Sequence, residues 1–439
     1  MKNFFKSIFS TLLILCISGT FALAAEKPPE VRGEGMILID ANTGDLLADK
    51  NSNEKFAPAS TTKLMTALLV LENAKLDEMI TVGAKPPFAE GSSIALKEGD
   101  MYSVEDILHA LLLESANDAA MSLAEHISGT EEDFAKLMTK RAKELGAKNT
   151  NFVNSSGLYE ETHYTTAYDL SLIMKEILKH EDYIRISRLT SYELPVSKVD
   201  GETKWVNNTT TLFNPNNANY FEELIAGKTG YTNVARCSYV SAAKKDGQTL
   251  ISVLLKAETK TENFEDTKAL FSYGFENFDS VKIYDAGDTV TSIKINKNTE
   301  IPLITNKDVY YFVDNTKKSL TRSGNEGVKS KVKTSISLEQ KDISNTSFNK
   351  GDEILHADIL VDNKPFTNIA LVSGISFEPS PLSTILNFLK SNFLLLILLI
   401  IAIIICILVI KEKFIYHGYR KRHKKILFKN KNKRNKLRF

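Results

Sequence analysis

Cysteine is scarce in this chain, with three among 439 residues. Cys16 falls in an N-terminal targeting segment and Cys406 in the longest apolar run, so Cys237 is the one thiol of the central region. A single thiol makes no intrachain disulfide, which excludes the disulfide-scaffolded secreted classes. Neither C-x-x-C nor H-E-x-x-H occurs, so no recognisable zinc site is expected; the reading is of a protein with no metal and no cofactor. Internal repeats of about 20–50 residues are also missing, which removes solenoids and propellers. What is present is ordinary: 43% hydrophobic and 25% charged residues describe a chain that mostly folds in water, and its length favours two domains plus targeting segments.

Charge is unevenly placed. Residues 411–439 hold thirteen Lys and Arg against one acid, Glu412, a net +12. The first 25 residues add Lys2 and Lys6, and because the whole chain carries only +1, residues 26–410 carry −13. The basic end follows FLLLILLIIAIIICILVI at 393–410, an apolar run that spans about 27 Å as a helix and reads as a transmembrane segment. Lys2, Lys6, the apolar run through Leu12–Ile17 and the small residues Ala22, Ala24 and Ala25 read as a cleavable signal peptide. The two signals agree on topology: the middle of the chain outside, the basic tail inside, on the positive-inside rule. The tail is then a topology determinant that touches anionic lipid, and no nucleic-acid partner is expected.

Between these ends the pattern changes once. GMILIDANTGDLLADK forms two apolar runs around Ala41–Gly44, a hairpin expected to supply sheet edge strands. Residues 60–74, STTKLMTALLVLENA, follow Pro58 and are apolar nearly all round from Leu64 to Leu71, which predicts a buried helix. Helical periodicity returns at Val104–Leu113, Asp118–Ile127, Glu131–Leu145 and Ala167–Leu178. CSYVSAAKKDGQTLISVLLK gives two strands joined at Asp246-Gly247. From about Val281 to Phe377 short β-rich runs, VKIYDAG, VTSIKI, DVYYFV, VKTSISL, ILHADILV and NIALVSGISF, alternate with turn residues, which predicts a small all-β domain. The expected division is 1–25 signal peptide, 26–279 mixed helix-and-strand domain, 280–377 β-rich domain, 378–392 linker, 393–410 membrane helix and 411–439 cytoplasmic tail.

Three short patterns carry possible chemistry. Ser60-Thr61-Thr62-Lys63 puts a hydroxyl and an amine one turn apart on the same face, at the start of a buried helix. A lysine buried there, or set beside a second cation, loses its proton readily and can take one from Ser60. Ser115-Ala116-Asn117 lies between two helical segments, where a hydroxyl can relay a proton and an amide can hold a carbonyl. Lys228-Thr229-Gly230 precedes an extended run, so a cation and a hydroxyl stand on a strand whose glycine admits another backbone. Each pattern alone also occurs as helix capping or as a turn.

In this order, the three patterns resemble the signature of penicillin-binding proteins and serine β-lactamases. Within that group the chain is similar to the D-alanyl-D-alanine carboxypeptidases of low molecular mass, on APASTTKLMTAL, GSSIALKEGD, LLLESANDAA, HYTTAYDL, AGKTGYT and TKALFSYGFENF, over roughly 35–377. The resemblance implies an α+β fold: a β-lactamase-like catalytic domain, an antiparallel sheet with a helical cluster, then the all-β domain and the single membrane helix. It also implies roles. Ser60 would be the acylated nucleophile, Lys63 its base, Ser115 and Asn117 the second motif, and Lys228 and Thr229 the holders of a terminal carboxylate. The backbone N–H groups of Ser60 and of Tyr231, the residue after Gly230, would form the oxyanion hole. Peptidoglycan stem peptides would be the substrate and β-lactams the inhibitors.

Two departures stand out. Some relatives have His where this chain has Tyr231, and some have an Arg in the turn after the next strand, which here reads KAETKTENFED with Lys256 and Lys260. His163 is expected to pack a loop under the site, and Glu160 and Glu161 to be solvated. Three other functions compete. A class A β-lactamase would show E-x-x-x-N, but four residues beyond Glu160 and Glu161 stand Tyr164 and Thr165. A D,D-endopeptidase would use the same residues, and a membrane-anchored sensor would bind penicillin or peptide without turnover.

Overall fold

The computed structural model describes residues 27–296, 299–315, 333–380, 389 and 392–435. The expected signal peptide, most of the expected linker and the last four residues of the tail lie outside the described residues. The chain forms two compact units: residues up to Ile283 with a return from Val309, and residues from Tyr284 to Asp308 with the remainder of the chain.

The first unit is organised around a five-stranded antiparallel sheet made of β1 (Gly35–Asp40), β2 (Leu46–Lys50), β7 (Leu224–Thr232), β8 (Arg236–Lys245) and β9 (Gln248–Ala257), in the order β2-β1-β9-β8-β7. The hairpin at Ala41–Gly44 forms as expected, but only β2 is an edge. Strand β1 pairs with β9 on its other side. Its composition gives the reason: all six residues are buried, and alternate side chains enter opposite cores. Ile37 and Ile39 join the core under the helical cluster, while Met36 and Leu38 join a second core against α7 (Lys260–Asn277). The second hairpin also forms where Asp246-Gly247 indicated, with both residues in the left-handed region.

The helical cluster holds α1 (Lys63–Asn73), α2 (Val104–His109), α3 (Asn117–Ser128), α4 (Glu131–Glu144), α5 (Ala167–Ile177) and α6 (Glu181–Ser187). The periodicity had located all but α6 and α7. The signal for α7 was a capping box, Thr259-x-x-Glu262, which the structure closes in both directions. Short hairpins complete the cluster: β3 (Met79–Thr81) with β4 (Met101–Ser103), and β5 (Ser191–Glu193) with β6 (Trp205–Asn207). The expected boundary at 279/280 falls within β10 (Phe278–Tyr284), which pairs with β13 (Val309–Asp314).

The second unit carries a five-stranded antiparallel sheet, β11 (Thr289–Asn296), β12 (Thr299–Thr305), β16 (Lys364–Ser373), β15 (Glu353–Val361) and β14 (Thr334–Leu338) in that spatial order. Leu355, Ala357, Ile359 and Val361 of β15 are buried and alternate with more exposed neighbours, the pattern of a sheet packed on one face. Strand β12 escaped the sequence reading because Pro302 interrupts it. Helix α8 runs from Phe393 to Asn435, beyond the apolar 393–410, because Lys and Arg propagate a helix well. Its portion Phe393–Arg422 is long and apolar enough to cross a membrane.

Candidate active site

The helix predicted over 60–74 is preceded by a 3₁₀ turn, Ala59–Thr62, and α1 itself starts at Lys63. Ala59 enters this turn with φ +50, a left-handed conformation unfavourable for alanine. Two contacts hold it there. The Thr61 hydroxyl donates to the Pro58 carbonyl at 2.7 Å, and Gly157 lies so close that a Cβ on it would stand 1.8 Å from the Ala59 carbonyl oxygen. The turn presents a half-buried Ser60 beside Lys63, which is fully buried.

Lys63 Nζ donates to Ser60 Oγ at 2.9 Å, to Asn117 Oδ1 at 2.7 Å and to the Ser156 carbonyl at 2.7 Å. Burial drives its pKa well below the ordinary lysine value, and Lys228 pushes in the same direction while Asp118 opposes it. An amine whose charged form is disfavoured by burial, in contact with a serine hydroxyl, can serve as a general base toward that hydroxyl.

Ser115 follows a π-helical turn, Ala110–Glu114, and sits at φ +63 just before α3 begins at Asn117. A serine held in the left-handed region between two helical segments is conformational strain, of the kind that collects at functional sites. Its Oγ accepts from Lys228 Nζ at 2.8 Å. Lys228 is buried on β7 and its pKa is pushed down to about 7, chiefly by burial and then by Lys260. Thr229 Oγ1 shares a hydrogen bond of 2.9 Å with Thr209 Oγ1. A Cβ on Gly230 would stand 3.0 Å from both the Pro58 carbonyl and the Ser60 amide nitrogen, so the strand approaches the Ser60 turn as the glycine suggested. Tyr231 is next on the strand and its ring is exposed.

The eight residues singled out from sequence thus fall in one place, in two linked groups. Ser60, Lys63 and Asn117 form one; Ser115, Lys228 and Thr229 form the other; Gly230 brings β7 to the Ser60 turn, and Tyr231 follows it on that strand. The Asn117 amide is engaged at both ends, Oδ1 by Lys63 and Nδ2 by the Glu90 carbonyl. Ser156, Gly157, Thr209 and Asp118 escaped sequence reasoning, since their parts are played through backbone approach or tertiary contact. Beside Asn117 and Ser156 opens a cleft of ≈ 380 Å³, lined also by Glu90, Met121, Glu131 and Leu158.

His163 packs as expected. Nδ1 accepts from the Val153 N–H at 3.3 Å, so Nε2 carries the proton and faces Thr62 Oγ1 at 2.9 Å. Burial lowers its pKa to about 4, which keeps it neutral. Glu160 and Glu161 are exposed. Of the two lysines noted there, Lys256 is the penultimate residue of β9 and pairs with Glu34 at 2.9 Å, while Lys260 opens α7, is exposed and lowers the pKa of Lys228.

A serine in contact with a fully buried lysine, with a second lysine–serine contact between β7 and the start of α3, is an arrangement that suits a serine hydrolase. Comparisons with known proteins make the class specific. The family pattern for D-alanyl-D-alanine carboxypeptidase matches residues 22–259, and that for the penicillin-binding protein 5 C-terminal domain matches 278–378. The chain is 33% identical over 364 residues to D-alanyl-D-alanine carboxypeptidase DacF of Bacillus subtilis, covering 80% of this chain and 89% of that protein. It is 34% identical over 274 residues to DacC of Escherichia coli, covering 59% and 66%. Among solved structures, penicillin binding protein 5 from Haemophilus influenzae superposes with a TM-score of 0.65 at 25% identity, over 80% of this chain and 99% of that one. The chain belongs to the D-alanyl-D-alanine carboxypeptidase family of serine peptidases, and its fold is that of penicillin-binding protein 5.

Proposed function

We propose that the protein is a secreted, membrane-anchored D,D-carboxypeptidase that removes the terminal D-alanine of peptidoglycan stem peptides through an acyl-enzyme at Ser60. The contact between the fully buried Lys63 amine and Ser60 Oγ, at 2.9 Å, carries this reading. Lys63 takes the Ser60 proton, and Oγ adds to the carbonyl of the penultimate D-alanine. The oxyanion is met by the backbone N–H groups of Ser60 and Tyr231, fixed before charge develops. The C–N bond then breaks, and a proton passes through Ser115 to the departing amine. Lys228 and Thr229 hold the carboxylate of the leaving D-alanine. Water, deprotonated by Lys63, attacks the ester and frees Ser60.

The same reading places 26–279 as the catalytic domain, 280–377 as a spacer domain, and 393–410 as the lipid-embedded anchor with 411–439 inside. β-Lactams would be inhibitors, because their strained amide acylates Ser60 while the leaving group stays tethered. Intact-protein mass spectrometry after exposure to benzylpenicillin tests this. One adduct of penicillin mass on the wild type and none on Ser60→Ala supports the acyl-enzyme; adduct on both, or on neither, contradicts it.

A further inference from the structure

Asp118 immediately follows the second motif and is fully buried. A buried carboxylate costs several kcal/mol unless its environment answers the charge. Here four donors do: the Ser93 hydroxyl at 2.7 Å and the amides of Leu96 at 3.0 Å, Ala119 at 3.0 Å and Ile94 at 3.2 Å. An amide of the same shape would not serve, since all four partners donate and only an acceptor at both oxygens satisfies them.

Three of these donors belong to one loop, and that loop grips Asn117. The Ser92 carbonyl accepts from the Asn117 N–H at 2.6 Å, and the Glu90 carbonyl accepts from Asn117 Nδ2. With Nδ2 held, Oδ1 is left facing Lys63 Nζ at 2.7 Å. Gly91, at φ +88, leaves room for this, as a Cβ there would stand 2.8 Å from Asn117 Nδ2. Asp118 also acts by charge. Two charged groups bear on Lys63: Lys228 on β7 opposes its cation, and Asp118 on α3 favours it. Its contacts with Ser60, Asn117 and the Ser156 carbonyl are neutral.

We propose that Asp118 is a positioning residue for the reaction: it clamps the 92–96 loop so that Asn117 addresses Lys63, and it supplies the buried negative charge that favours Lys63 at the moment it takes the Ser60 proton. The proposal rests on the roles given above to Ser60 and Lys63.

The test is the second-order rate of acylation by benzylpenicillin as a function of pH, on the full chain and two variants. Asp118→Asn removes the charge, so Lys63 holds its proton less strongly. The acid limb of the profile moves to lower pH by about one unit, and the plateau falls about tenfold as the base weakens. Ser93→Ala removes one clamp bond and leaves the charge; the plateau falls a few-fold and the limb stays in place. A folded Asp118→Asn whose acid limb matches the wild type overturns the proposal. Should Asp118→Asn fail to fold, Ser93→Ala decides, and a wild-type plateau there overturns the clamp. A wild type that penicillin does not acylate removes instead the reading of Ser60 and Lys63.

Discussion

The two units treat polar and strained residues in opposite ways. In the first, Asp40, Lys63, Asp118, Asp169 and Lys228 are all buried; among the described residues of the second, the buried polar side chains are Thr305 and Ser373. Backbone strain divides likewise. Among the described residues of the second unit, the non-glycine residues with positive φ are Asp362 and Asn363, the two-residue turn between β15 and β16, where Asp and Asn adopt that conformation at little cost. In the first unit Asn51 and Asp246 adopt it in the same way, but so do Ala59, Ala95, Ser115, Arg236 and Lys256, residue types with no such preference. The β unit obeys its local rules nearly throughout. The first unit breaks them at several places, and two of these, Ala59 and Ser115, lie in the candidate site, where the surrounding packing holds them.

The contrast is tested most severely at Lys63. Lys63→Ala should lower kcat/KM for D-alanine release by about 10²–10⁴-fold, the usual contribution of a general base, with the fold retained by circular dichroism. Next comes Gly157→Ala, which drives a Cβ into the Ala59 carbonyl. Displacing the Ser60 turn by about 1 Å should cost roughly 10²-fold in kcat/KM, and thermal melting should show lost stability as well.

A smaller effect is expected at Lys228. In the free enzyme it loses its proton near pH 7, so a carboxylate-binding role makes kcat/KM fall as pH rises through that value. Arginine keeps its charge over the whole range, and Lys228→Arg should lift the alkaline limb while lowering the maximum; a limb that does not move would detach Lys228 from carboxylate binding. Least of all, Asn363→Ala in the β15–β16 turn should cost about 1 kcal/mol of stability by chemical denaturation and leave kcat/KM unchanged. Equal damage to activity there would erase the contrast.

The same contrast explains what the sequence could reveal. Strands and hairpins of the β unit follow alternation and turn residues, and only β12, broken in pattern by Pro302, was hidden. Helices α1 to α5 were legible from their apolar period, and the Ser60–Lys63 pair from i, i+3 spacing. The 3₁₀ turn at 59–62 was not legible, because it depends on Gly157, nearly a hundred residues away, pressing on Ala59. Asp118 was hidden for a similar reason: an acid in the first turn of a helix looks like dipole compensation until its loop partners are known. Local rules report local structure, and the site is built from long-range exceptions to them.

The most direct test of the account is free D-alanine released from a peptide ending in Lys-D-Ala-D-Ala, assayed with the wild type and with Ser60→Ala. The account predicts steady release by the wild type and none by the variant. Release by a folded Ser60→Ala variant, or none by a folded wild type, would contradict it.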